Sequence, residues 1–178
     1  PAVREDDREF TYRDIWAWSD ATIDLFRELG VGPGDVVAMY AGNRAEWIVF
    51  DSAAARLGAV KTPANYMSAL DTVLYQLEFA GASVVITDYE LGSALSERLA
   101  SNPEAPAGTT TPGRPRIVQL SDPAGRTIPG AIPFPEVPGA DYTPRAGEIP
   151  ADPDVRSQLN FTGGTTGRPK AVAHTRRS

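Results

Sequence analysis

Residues Gly30 to Val60 read GVGPGDVVAMYAGNRAEWIVFDSAAARLGAV, and this stretch decides the fold. Gly32-Pro33-Gly34-Asp35 is a turn, because proline presets one backbone angle and glycine supplies the others. The run Val36-Val37-Ala38-Met39-Tyr40 is apolar, bounded by breakers and too brief for a helix, so it predicts a buried strand. Asn43 and Glu46 are then placed to cap a helix running to about Leu57, with Gly58 closing it. A short strand is expected near Val60.

Outward from this unit the alternation continues. Upstream, Ile15, Trp18, Thr22, Leu25 or Phe26, and Leu29 recur at helical steps, so a helix is expected over Thr11 to Leu29. Thr11 and Asp14 are spaced as a capping box, and Gly30 ends the helix. Downstream, Ser68 and Asp71 are candidate caps of a third helix to Ala80, closed by Gly81. Ser83 to Thr87 reads as the clearest buried strand, and a fourth helix is expected from about Glu90 to Ala100. Helices alternating with continuous apolar strands predict an α/β fold, a layered and largely parallel sheet with flanking helices. Trp16, Trp18 and Trp47 lie beside apolar neighbours at helical spacing and are expected to pack in the core or at an interface.

Three parts of the chain follow: an α/β portion over residues 1–100, a proline-rich connecting region over 101–154, and a strand with a loop over 155–178. Most of the 16 prolines fall in the middle part, which reads as loop apart from a strand at Arg116 to Leu120. Ile128 to Arg145 holds too many prolines for a central strand. The 178 residues suit about one domain, and 42% hydrophobic content suffices for a core. With 17 basic and 23 acidic residues the formal charge is −6, which argues against nucleic acid or anionic lipid as the main partner. The absence of cysteine excludes disulfides and thiolate metal sites, and one histidine leaves little scope for a zinc site built on imidazoles. No apolar stretch approaches the roughly 20 residues needed to span a bilayer. Pro1 to Glu9 lack the character of a secretory signal, so a cytoplasmic setting is expected. Glu5-Asp6-Asp7 and Glu9 read as solvated surface. His174-Thr175-Arg176-Arg177-Ser178 follow directly on an apolar run without a stop signal, suggesting a longer protein.

The chemistry lies in Leu159-Asn160-Phe161-Thr162-Gly163-Gly164-Thr165-Thr166-Gly167-Arg168-Pro169-Lys170-Ala171-Val172-Ala173-His174. Glycines let successive backbone N–H groups point into one concavity, threonine hydroxyls add donors, and a lysine adds mobile positive charge. The set suits a polyphosphate. A Gly-Thr-rich stretch is equally compatible with an ordinary flexible turn. It is not a Walker A loop, since Pro169 precedes the lysine and an apolar run follows. His174, on that apolar run, reads as structural.

The order Thr-Gly-Gly-Thr-Thr-Gly-Arg-Pro-Lys over Thr162 to Lys170 closely resembles the phosphate-binding loop of the adenylate-forming (AMP-binding) superfamily, usually Thr-Ser-Gly-Ser/Thr-Thr-Gly-x-Pro-Lys-Gly. Phe10-Thr11-Tyr12, Gly30 to Ala38, Gly42-Asn43-Arg44-Ala45-Glu46-Trp47, Leu57-Gly58-Ala59-Val60 and Gly81 to Asp88 resemble the N-terminal part of the same superfamily, in its order. Coverage is essentially the whole chain, ending just after the loop.

The resemblance implies an enzyme that joins a carboxylic acid to ATP, with Mg2+, and passes the acyl group to a thiol such as coenzyme A. Thr162, Gly163, Gly164, Thr165, Thr166, Gly167 and Lys170 would hold the β- and γ-phosphates, with Thr165, Thr166 and Lys170 contributing most to catalysis. The Thr-Gly-Gly form of the loop and Asn43 to Trp47 look most like fatty or other acyl-CoA synthetases, which implies a carboxylic acid, with a fatty acid expected. An amino-acid or aryl-acid adenylation domain is the alternative, and a noncatalytic nucleotide-binding or interaction module a second. Gly163 replaces a serine, and Ala171 a common glycine, which costs about 1 kcal/mol if the position needs a positive φ and nothing in a strand. Arg176 stands where a histidine often follows. The acid pocket, adenine contacts and magnesium-binding acid of the superfamily follow this loop, so the 178 residues alone are expected to be inactive without the C-terminal remainder.

Overall fold

The computed structural model describes residues 1–101, 114–146, 152–162 and 169–178. Elements follow in the order β1 (Val3–Glu5), β2 (Arg8–Phe10), α1 (Tyr12–Glu28), β3 (Val36–Tyr40), α2 (Glu46–Leu57), β4 (Val60–Pro63) and α3 (Leu70–Ala80). They continue with β5 (Ala82–Thr87), α4 (Tyr89–Ser101), β6 (Arg116–Gln119), β7 (Ile132–Pro133), β8 (Arg156–Thr162) and β9 (Lys170–Thr175). Strands β1 and β2 pair as an antiparallel hairpin, and the other seven form one sheet in the order β7-β6-β5-β3-β4-β8-β9. Every pair in that sheet is parallel except β8 with β9. The α/β class and the largely parallel sheet expected from the sequence are what the chain forms.

Strand alternation sorts side chains onto two faces. Val37 and Met39 of β3 join Val84, Ile86 and Val118 in a core that includes Trp18 and Phe26 of α1 and Phe50 of α2. Ala38 and Tyr40 join Val85 with Val73 and Leu77 of α3 and Leu95 of α4. The sheet is therefore a middle layer, with α1 and α2 on one face and α3 and α4 on the other. Phe26 and Phe50 are 0% exposed, and burial of each contributes roughly 1.5–3 kcal/mol. Among the described residues no helix is long and apolar enough to cross a membrane.

Local signals account for most helix ends. The Asp14 amide donates to Thr11 Oγ1 at 3.2 Å and the Thr11 amide donates to Asp14 Oδ2 at 2.8 Å, completing the capping box. The Thr11 backbone bond, then its hydroxyl, holds the Asp14 carboxyl below the usual carboxylate range. Gly58 and Gly81 close α2 and α3 with φ of 78° and 67°, a region that disfavours side chains with a β-carbon. The caps expected from Asn43 and Ser68 do not form: the N-cap positions are Ala45 and Ala69, with no side-chain bond. Glu46 instead turns its carboxylate to Arg44, accepting at 3.0 Å, and Asp71 pairs with Arg98.

The charged start also differs from a solvated tail. Residues 3–10 fold back through Asp6, whose φ of 49° is the only positive value at a non-glycine residue among those described. Glu5 accepts from Arg8 at 2.6 Å and from the Ala45 amide at 3.3 Å, so it ties this hairpin to the start of α2.

Residues 134–145 lie along α1 as a strap. Trp16 Nε1 donates to the Arg145 carbonyl at 2.8 Å, and Arg13 donates to the carbonyls of Ala140 and Tyr142 at 2.8 and 2.7 Å. The anchor is Asp20 of α1, fully buried. It accepts from the Arg145 amide at 2.8 Å and the Tyr142 hydroxyl at 3.2 Å, and pairs with Arg56 of α2. Burial pushes its carboxyl upward, but the Arg145 amide, the Arg56 hydrogen bond and both guanidinium charges overcome this and leave it below the usual range.

Candidate functional site

The strands β8 and β9 present the two ends of the glycine-threonine loop side by side. Thr162 is the last residue of β8, Lys170 the first of β9, and they are direct cross-strand partners. Thr162 Oγ1 donates to the Lys170 carbonyl at 3.4 Å, which holds the Lys170 backbone while its side chain extends into solvent. Both residues are exposed. Gly163, Gly164, Thr165, Thr166 and Gly167 lie outside the described residues.

Ala171 sits opposite Phe161 inside the ladder, and its backbone is not among the positive-φ positions. The replacement of a glycine there carries no backbone penalty. His174 is half-buried, and its carbonyl accepts from Ser157 Oγ at 3.3 Å, in keeping with a structural role. Arg176 donates to the Ala55 carbonyl at 2.7 Å and so ties the end of the hairpin away from the loop to α2.

Topology places the ends of this loop, Thr162 and Lys170, at the carboxyl edge of the sheet. Strand β4 runs parallel to β8 with Lys61 opposite Gln158, and Thr62 Oγ1 donates to the Leu159 carbonyl at 3.1 Å. The carboxyl ends of β3, β4 and β8 therefore finish on the same edge, each about 5 Å from the next. From β3 the chain leaves to α2 on one face, and from β4 to α3 on the other. In open α/β sheets ligands bind outside the carboxyl ends of strands where outgoing connections diverge in this way.

The β3 side of that edge carries a polar network in which the sequence pattern gave only Glu46 a role, as a helix cap. Glu46, 2% exposed, holds Arg44, and Arg44 also donates to the Ser121 carbonyl at 3.1 Å. Burial works against the Arg44 charge, but the Glu46 hydrogen bond and the charges of Glu46, Glu5 and Asp88 outweigh it and raise its basicity. Asp88, following β5, accepts from the Gly42 amide at 3.1 Å and from the Leu91 amide at 3.0 Å. These contacts join the ends of β3, β5 and β6 into one frame. The only sequence signal for it was a run of charge, Arg44 and Glu46, entering an apolar helix.

Among the described residues no group of three or more His, Asp or Glu side chains is placed to hold a metal ion. A cleft of about 270 Å³, lined by Leu99, Ile117, Pro129 and Ile132 among others, lies between α4 and the β6–β7 edge. Its β6 wall is four strands from β8 in the sheet.

Comparison with known proteins adds a lineage to this geometry. The family model described as AMP-binding enzyme matches residues 1–178. The chain is 33% identical over 173 residues to 4-coumarate–CoA ligase 3 of Oryza sativa subsp. japonica, covering 95% of this chain and 27% of that protein. It is 31% identical over 172 residues to long-chain-fatty-acid–CoA ligase FadD13 of Mycobacterium tuberculosis, covering 97% of this chain and 31% of that one. The crystal structure of the anthranilate CoA ligase AuaEII in complex with anthranoyl-AMP shares the fold, with a TM-score of 0.76 at 24% identity over 97% of this chain and 31% of that one. The chain thus spans about three tenths of the length of the curated relatives it matches.

Proposed function

The chain belongs to the AMP-binding enzyme family, and from that premise we propose that it is the N-terminal part of an ATP-dependent acid–thiol ligase. Such an enzyme activates a carboxylic acid as its acyl-adenylate, releases pyrophosphate and passes the acyl group to coenzyme A. The observation that carries the reading is the Thr162–Lys170 pair at the loop end of the β8–β9 hairpin. It brings a hydroxyl and a primary ammonium to the two ends of a loop rich in glycine and threonine, at the sheet's carboxyl edge.

In this proposal Thr162, Gly163, Gly164, Thr165, Thr166, Gly167 and Lys170 hold the β- and γ-phosphates of the substrate MgATP. As the carboxylate attacks the α-phosphorus, negative charge builds on the departing pyrophosphate. Donors already aimed at that charge stabilise it without reorganising, which is where electrostatic catalysis gains most. Thr165, Thr166 and Lys170 are the proposed catalytic contributors. The proposed setting is the cytoplasm. The remaining contacts to adenine, acid and magnesium belong to the C-terminal remainder, so the 178 residues alone do not turn over: a loop without the parts that close on substrate neither aligns the reactants nor excludes water.

A fatty acid is the proposed substrate, supported by the Thr-Gly-Gly form of the loop and the fatty-acid–CoA ligase among the relatives. An aryl acid is the second reading, favoured by the 4-coumarate–CoA ligase. The test is CoA-dependent AMP formation by the full-length protein across matched panels of fatty and aryl acids. Turnover confined to the fatty panel supports the first reading and turnover confined to the aryl panel replaces it. AMP formation independent of any acid contradicts both.

A further inference from the structure

The edge strand β7 is too short to cover its neighbour. Its register begins with Ile132 opposite Val118, so Arg116 and Ile117 at the start of β6 have no cross-strand partner on that side among the described residues. The chain enters β7 through a tight turn, in which the Ala131 amide donates to the Ile128 carbonyl at 3.0 Å and Gly130 has a φ of 77°. Between this turn and the last turn of α4 lies the cleft of about 270 Å³. Its apolar walls continue both cores. Leu99 and Ile117 pack against the core beneath α3 and α4, and Ile132 against the core beneath α1 and α2. The volume falls just below the roughly 300–1,000 Å³ of sites that take drug-sized molecules, which suits a smaller one. The charge of the lining has one sign: Arg114 and Arg116 line the cleft, and no acidic residue does among those described. Arg116 is anchored by donating to the Leu29 carbonyl at the C-cap of α1, which keeps its charge at this edge.

We propose that this cleft is a second ligand site, which takes a small amphiphilic monocarboxylate. The hydrocarbon part lies on Leu99, Ile117 and Ile132, where it leaves water, and the carboxylate sits on the side of Arg114 and Arg116. A neutral apolar molecule gains the same burial and nothing from the arginines, whereas a small polar anion gains nothing from the apolar walls. The walls are a closed turn, a helix end and a sheet edge, so binding orders little of the protein, and preorganisation of that kind favours affinity. The cleft lies where β6 begins, at the opposite edge of the sheet from the carboxyl ends at which the ligase reading puts its reactants. The proposal therefore goes beyond that reading and does not depend on it.

The test photolabels the full-length protein with a diazirine analogue of octanoate and maps the labelled peptides by mass spectrometry. Label is expected on the peptides that carry Leu99, Ile117 or Ile132. Octanoate should displace it at least about tenfold more effectively than octanol, which has the same chain without the charge, the scale of one hydrogen bond to a charged group. Label absent from those peptides, or displaced equally by the two competitors, overturns the proposal. Ala131→Trp, which fills the cleft, should lower the cleft label at least about tenfold and leave label elsewhere unchanged. An undiminished cleft label in that variant would contradict the assignment, and if the variant does not fold, the competition on the parent decides alone. Acid-dependent AMP formation by the same parent sample keeps the two readings apart. Its absence beside a labelled cleft removes the ligase and leaves the cleft standing, whereas AMP formation with an unlabelled cleft removes only the cleft.

Discussion

Strands β3 and β9 are written in similar residues, Val-Val-Ala-Met-Tyr over 36–40 and Ala-Val-Ala-His over 171–174, yet they live in different environments. Val37, Ala38 and Met39 are 0% exposed, with helices on both faces. Val172 is 41% exposed, and β9 ends the sheet order with β8 as its only partner among the described residues. Burial is a property of the layers packed on a strand and not of its composition. The comparison separates two tasks: the centre of the sheet carries stability, and the hairpin at its end presents the ends of the loop proposed to hold phosphate. The central strands also hold the frame of Arg44, Glu46 and Asp88 that fixes the carboxyl edge.

The largest expected effect falls on the central layers. Phe50→Ala should destabilise the protein by about 3–5 kcal/mol, the usual cost of removing a fully buried aromatic ring. Val172→Ala, an equally apolar truncation at the hairpin, should cost less than about 0.5 kcal/mol. Denaturant midpoints of the two variants check the contrast, and similar losses would erase the distinction between the regions.

A smaller effect sharpens it through pH. The Asp20 carboxylate stabilises the strap on α1, and its folded pKa lies below the unfolded value near 3.9. Its contribution is therefore fully present above about pH 4 and is lost as the pH falls through the lower folded value. Asp20→Asn should cost about 2 kcal/mol at neutral pH, the scale of hydrogen bonds to charged groups. The variant should also show a shallower loss of stability on acidification than the parent. Parallel pH curves would mean that Asp20 does not anchor the strap.

What could be read from the chain divides along the same line. The apolar runs at Val36–Tyr40 and Ala82–Thr87 have one explanation, and the Thr11–Asp14 capping box is local, so both were legible. Asn43 and Ser68 misled because cap identity depends on where the first turn begins. At α2 that point is set by Glu46 turning to Arg44 and not by the nearest capping side chain. The β1–β2 hairpin was hidden in a charged run, because its turn uses an aspartate at positive φ in place of a glycine. Asp20 was invisible as an anchor, since its partner Arg145 lies 125 positions away in a proline-rich segment. At the site, the spacing of Thr162 and Lys170 was legible, and their pairing across two antiparallel strands required the structure. The Arg44–Glu46–Asp88 frame joins three strand ends, which no local pattern encodes.

The central claim is that Lys170 acts on the phosphates of ATP and not on the fold. Its most direct test is acid-dependent pyrophosphate release by the full-length protein carrying Lys170→Ala, measured beside the thermal unfolding of the same sample. The account predicts a rate lowered by about 10²–10³-fold, the scale seen when a preorganised donor is removed. The unfolding transition should stay within about 0.5 kcal/mol of the parent's. An unchanged rate, or a loss of rate matched by a loss of folded protein, would contradict it.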